Sequence, residues 1–179
     1  YGDEKVTSST KKNRIGARMV LPDGSEFVYA YSGEAITAGK VTMQAQTATD
    51  HIKDLAVAAA VSAGATQLTV TNGSSTAITA SSSYTGSGTA VGTYEDGFLF
   101  VNDVDGEGQA WSIKNHSAAS TSATLTINLF DTDKVATALT TSSQVGLLKN
   151  PQNGVEVWDV NDIDGIAAGV PRCDVTANY

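Results

Sequence analysis

The chain has 179 residues, enough for one full-sized domain or two small ones. Its net charge of −8 and sequence pI near 4.5 argue against a nucleic-acid partner, which needs an electropositive face, and against docking on an anionic membrane. Hydrophobic residues reach 41% but aromatics only 7%, so a core must rest on Val, Ile, Leu and Ala. Such side chains bury little area each, at about 25 cal/mol per Å², and burial between copies of the chain is the expected way to make up the shortfall.

The first thirteen residues, YGDEKVTSSTKKN, are polar and without period. They read as an extended arm, either a disordered tail or a segment that orders on a neighbouring subunit. From Arg14 the pattern alternates, Arg14-Ile15-Gly16-Ala17-Arg18-Met19-Val20, as a half-buried strand does. Pro22-Asp23-Gly24 is a tight turn, and Glu26-Phe27-Val28-Tyr29-Ala30-Tyr31 is the return strand of a hairpin. Val41, Met43 and Ala45 then share one face of a further short strand.

Residues 50–61 fit either a short helix, from their Ala and Leu, or a strand entering the turn at Gly64. Gln67-Leu68-Thr69-Val70-Thr71 is a strand ended by Asn72-Gly73. Residues 74–93 are almost all Ser, Thr, Gly and Ala, and are expected to form a long exposed loop or flat surface hairpin. Strong β signals resume at 97–102, 109–114 and 123–129, and the expected core set there is Phe98, Phe100, Trp111, Ile113, Leu125 and Ile127. Residues 144–148, 154–158 and 169–175 add three short strands.

Strands at this spacing, split by Gly, Asn and Asp turns, predict a mostly β fold of the sandwich or barrel kind. One architecture is a single large β fold. The favoured one is a small barrel or sandwich formed by 14–50 plus 151–179, with 55–149 inserted as a second β module with its own core. Residues 1–13 are then the arm, and 74–93 the loop of the insert.

Little in the sequence offers chemistry. The single cysteine, Cys173, has no internal disulfide partner and sits in an apolar-alternating stretch, so a buried inert thiol is expected. His51 and His116 lie far apart, and neither has a His or Cys at ligand spacing. No phosphate loop, dinucleotide fingerprint or nucleophile elbow is present. Two acidic runs resemble calcium loops: Asp103-Val104-Asp105-Gly106-Glu107, and Asp159 through Asp162 to Gly165. Both lack the full ladder of alternate oxygens and the late Glu, and turn chemistry accounts for their Asp and Asn residues. The expectation is therefore no catalytic residue, no cofactor and no metal. If a cation did bind, Asp105 and Asp162 would be the first residues to test. No run approaches the ~18 apolar residues of a membrane span, and the first residues show no basic-then-apolar leader pattern.

Several segments carry a resemblance. Gly33-Glu34-Ala35-Ile36-Thr37-Ala38-Gly39-Lys40 and Gly165-Ile166-Ala167-Ala168-Gly169-Val170 resemble strand regions of tailed-phage capsid decoration (cement) proteins. The stretch Gly97-Phe98-Leu99-Phe100-Val101-Asn102-Asp103, that from Gly106 to Lys114, and Asn150-Pro151-Gln152-Asn153-Gly154-Val155 are similar to runs in phage virion proteins. Together they cover about half of the chain. The resemblance implies a non-enzymatic virion structural protein on the outer capsid surface, binding a major capsid protein lattice as a homo-oligomer, with a trimer expected. The long Ser/Thr/Gly tract departs from the smallest decoration proteins and leaves a fibre, tail or adhesin role open. A carbohydrate-binding module is a further alternative, but Trp111 and Trp158 both read as core or interface residues rather than stacking platforms.

Overall fold

Strand outweighs helix, 34% to 5%, in the structure, a computed structural model that describes residues 2, 5–85, 90–159 and 165–177. The mostly β reading therefore holds. In chain order the strands are β1 (Arg18–Val20), β2 (Glu26–Val28), β3 (Tyr31–Ser32), β4 (Thr42–Met43), β5 (Leu55–Ala56) and β6 (Gln67–Thr71). They continue as β7 (Phe98–Asp103), β8 (Ala110–His116), β9 (Thr124–Leu129), β10 (Gln144–Leu148), β11 (Asn153–Val157) and β12 (Ala167–Gly169). Contacts divide the chain into two compact units, one of residues 1–46, 89–91 and 150–179, the other of 47–88 and 92–149.

The first unit holds a hairpin, β1–β2, and a four-stranded sheet in the order β12-β4-β11-β3. The hairpin turns at Gly24, whose positive φ of 84° suits a residue without Cβ and whose amide donates to the Leu21 carbonyl. The Asp23 carboxylate accepts the Ser25 amide at 2.9 Å, a bond to the charged form that holds its carboxyl below the usual range. In the sheet β11 runs parallel to β3 and antiparallel to β4. Ile36 pairs with Val175, and Ile15, Ile36, Met43 and Val155 are buried. Val41 does not share the inward face of Met43: it is 49% exposed, because it lies just outside the two-residue strand. Cys173 is half-buried rather than enclosed. Along the expected arm most described residues are exposed, and Lys12 donates its amide to the Tyr29 hydroxyl.

The second unit is a six-stranded, all-antiparallel sheet in the order β5-β10-β7-β8-β9-β6. Its two edge strands meet. Val57 pairs with Val70, and the Ala58 amide donates to the Thr69 carbonyl at 2.8 Å. The sheet is thus nearly closed into a barrel, which removes most of the unpaired edge an open sheet would present. The ambiguous segment 50–61 holds no α-helix: a single 3-10 turn at Thr49–His51 leads to the two-residue strand β5, and isolated bridges follow at Val57 and Val61.

Alternate residues of each strand fill the barrel: Leu68 and Val70, Trp111 and Ile113, Leu125, Ile127 and Leu129, Val145 and Leu147. On β7 the inward residues are Leu99 and Val101, whereas Phe98 is 46% exposed and Phe100 only half-buried. This corrects the expected core set. A run of four apolar residues has no polar face, so alternation alone leaves either pair free to turn inward, and here it is Leu99 and Val101. Phe100 instead lies against β10 at Gly146, where an added Cβ would overlap both its ring and the Ile52 carbonyl. The two ends of the inserted unit come together as the Lys149 amide donates to the Thr47 hydroxyl at 2.9 Å.

The tract 74–93 is not a free loop. Ile78 is 3% exposed and pairs with Ala119, and Ser81 is fully buried. Residues 74–77 and 83–85 are exposed as expected, while 86–89 lie outside the described residues.

Candidate functional site

The densest group of buried polar side chains lies at the end of the barrel where β6 and β8 finish and β5, β7 and β9 begin. Three rings pack edge-on and tilted against one another there. His51 comes from the 3-10 turn, Tyr94 from the turn before β7, and His116 is the last residue of β8. The Tyr94 ring centroid is 5.6 Å from that of His51 and 6.3 Å from that of His116.

The partners fix where the protons sit. His51 Nε2 faces the Thr76 carbonyl at 3.2 Å, so it carries the hydrogen and donates. His51 Nδ1 then accepts from the Tyr94 hydroxyl at 2.5 Å. His116 Nδ1 faces the Ser117 carbonyl at 2.9 Å and donates to it, which leaves Nε2 to accept the Tyr94 amide at 3.0 Å. Every ring nitrogen is engaged, and no fully enclosed side-chain nitrogen or oxygen among the described residues lacks a hydrogen-bond partner.

Around this cluster, carboxylates and amides pin the adjoining loops. Asp50 Oδ2 accepts the Ser75 amide at 2.8 Å and the Thr76 amide at 3.1 Å, and the Ser75 bond leads in holding its carboxyl below the usual range. Gly73 is required beside it, since an added Cβ would run into that carboxylate. Asn72 donates from Nδ2 to the carbonyls of Thr76 and Ser120. Glu95 Oε2 accepts the Gly92 amide at 3.1 Å. Burial, with the Asp50 charge adding to it, pushes the Tyr94 phenol well above its ordinary value. Burial likewise lowers His116, against an opposing pull from the Ser117 carbonyl and the Glu95 charge.

Chemically, this arrangement fixes backbone. The two histidines, far apart in the sequence, sit on either side of one tyrosine. Only the polarity of His116 after an apolar-alternating strand could have flagged it. Tyr94→Phe removes the donor to a buried imidazole nitrogen, and a loss of about 1–3 kcal/mol is expected from urea unfolding. Wild-type stability in that variant would mean that the hydroxyl holds nothing. His116 adds a pH dependence. Its folded-state pKa lies below its unfolded value near 6.5, so the unfolded chain binds more protons in the window between them. Its contribution is full above about pH 6.5 and falls away as pH drops towards the folded value. A thermal midpoint that rises on acidification from about pH 7.5 to about pH 5 would contradict that sign.

The first acidic run is the β7–β8 turn. Asp103 Oδ1 accepts the Val104 amide at 2.8 Å, Asp105 Oδ2 accepts the Thr140 hydroxyl at 2.9 Å, and Gly106 takes a φ of 83°. Asp103 and Gly106 serve the turn itself, while Asp105 ties it to the loop before β10. In the second run residues 160–164, Asp162 among them, lie outside the described residues. Among the described residues no group of three or more His, Cys, Asp or Glu is placed to hold a metal ion. Trp111 is 6% exposed and donates its indole N–H to the Lys134 carbonyl, while Trp158 is half-buried.

No family model matches the chain, and neither a curated protein nor a solved structure does. No described helix is long and apolar enough to cross a membrane.

Proposed function

We propose that the chain is a non-enzymatic structural protein of a virus particle, decorating or stabilising the outer face of a capsid as a homo-oligomer. The observation that carries this reading is where the two kinds of side chain lie. Residues with chemical capability, His51, Tyr94, His116 and Glu95, are consumed inside the barrel in holding backbone. Large apolar residues are instead left outside: Phe98 beside Leu148 on the barrel, and Val41, Ile166 and Val170 next to the ends of β4 and β12 in the small sheet. Exposed apolar side chains grouped in this way suit contacts between proteins better than contacts with water. The segment resemblance supplies the virion setting, and the acidic surface suits a face turned to solvent.

A sugar-binding module finds less support, because the Trp111 indole is turned inward and its N–H is already engaged. Electron microscopy of the native particle tests the proposal. Density for this fold on the outer capsid face, in repeated multimers, is the expected result. Density in a tail or fibre would keep the structural class and remove the decoration role. A strictly monomeric protein found free of particles and binding glycans would overturn the reading.

A further inference from the structure

The described ends of the Ser/Thr/Gly tract meet in a neck formed by Thr79 and Thr93. There the Thr79 amide donates to the Thr93 hydroxyl at 3.0 Å and the Thr93 amide to the Thr79 carbonyl at 3.2 Å. His116 closes that neck from the barrel side. Its backbone carbonyl accepts the Ser81 amide at 3.1 Å, and its own amide donates to Ser81 Oγ at 3.3 Å. Its ring is so closely covered that a Cβ on Gly92 would overlap Ser81 Oγ and come within 2.6 Å of His116 Nε2.

With Nδ1–H committed to the Ser117 carbonyl, a second proton can enter the ring only at Nε2. That atom faces the Tyr94 N–H at 3.0 Å. An imidazolium there sets two donors against each other, and the bond is lost rather than weakened. The surroundings decide where the charge turns. From residues 92–96 the titratable groups are Tyr94, Glu95 and the buried Asp96; from the 3-10 turn, His51 and Asp50 lie beyond the Tyr94 ring; from the short helix Ser82–Thr85 the titratable residue is Tyr84. β9 carries no titratable residue. Glu95 is the carboxylate whose charge acts on His116, and it holds the Gly92 amide in the neutral state. An imidazolium draws Glu95 towards itself and away from Gly92. One proton thereby loosens two contacts of the returning segment, at Gly92 and at Tyr94, next to the Thr79–Thr93 pair.

We infer that His116 is an acid-operated latch, whose protonation at Nε2 releases the neck of the Ser/Thr/Gly tract while the barrel strands stay paired. The device has the two arrangements a switch needs: a neutral ring accepting from Tyr94, and a charged ring paired with Glu95.

Hydrogen exchange of the intact protein, corrected for intrinsic rates, tests this between about pH 7.5 and about pH 5. The expected result is an about tenfold or greater loss of protection at residues 79–81 and 92–94, with β7, β8 and β9 unchanged. In His116→Gln, whose Oε1 can accept the Tyr94 amide without titrating, the acid step should vanish. Equal protection at both pH values, a step that persists in His116→Gln, or a loss spread evenly over the barrel would each overturn the latch. Should His116→Gln not fold, nitrogen NMR of the wild-type imidazoles serves instead. Protonation of His116 Nε2 must then share its midpoint with the loss of protection, and separate midpoints would overturn the inference.

Discussion

Ile113→Ala is expected to lower the unfolding free energy by about 2–5 kcal/mol. Its side chain is completely enclosed, between inward residues of the neighbouring strands, and the closed sheet leaves those neighbours little room to collapse into the space. Phe98→Ala removes a larger side chain from the same part of the sheet, yet a loss of about 1 kcal/mol or less is expected. Phe98 pairs with Leu148 on the outside of the barrel, and both are partly in water. Urea midpoints of the two variants, compared at equal slope, decide the matter. If Phe98→Ala costs as much as Ile113→Ala, the inward face of β7 has been assigned to the wrong residues.

Gly146→Ala is expected to destabilise the barrel by about 1–3 kcal/mol or more, the usual range for overpacking a fixed interior. The added methyl meets the Ile52 carbonyl and the Phe100 ring at once. The ring could turn aside; the carbonyl is main chain, in the turn that also carries His51, and cannot do so without disturbing the buried cluster. Phe100→Ala in the same chain should therefore restore only part of the loss. Full recovery in the double variant would show that the ring alone made the site tight. A wild-type urea midpoint for Gly146→Ala would remove the argument altogether.

Legibility in the sequence followed the contrast between neighbouring residues. In Trp111-Ser112-Ile113 and in Leu125-Thr126-Ile127-Asn128-Leu129 every second residue is polar, and the apolar set is the buried one. In Phe98-Leu99-Phe100-Val101 both faces are apolar, so period alone cannot choose between them; the pair that is buried is Leu99 and Val101. In the tract 74–93 composition hid Ile78 and Ser81, single residues whose burial depends on Ala119 and His116, far along the chain. The ring cluster was illegible for the same reason. Its members are 43 and 22 residues apart, and no local spacing joins them. Polarity was visible; partnership was not.

The meeting of the insert's two ends bears on the order in which the protein assembles. Thr47 and Lys149 are 102 residues apart in the chain and joined by a hydrogen bond once the barrel has formed. For β4 to find β11 in an unfolded chain, a loop of roughly 110 residues must close; after the barrel forms, only a handful of free residues separate them. By the logarithmic dependence on loop length, this spares the outer unit about 2–3 kcal/mol of chain entropy. The barrel is thus expected to fold first and to serve as a staple for the strands on either side of it. Each unit carries one tryptophan, Trp111 in the insert and Trp158 outside it, so stopped-flow fluorescence can follow them separately. In wild type a fast and a slow phase are expected, and Trp158→Phe should keep the fast one and lose the slow one. Were Trp158→Phe to lose the fast phase instead, the flanking strands would be the nucleus and the barrel the late arrival.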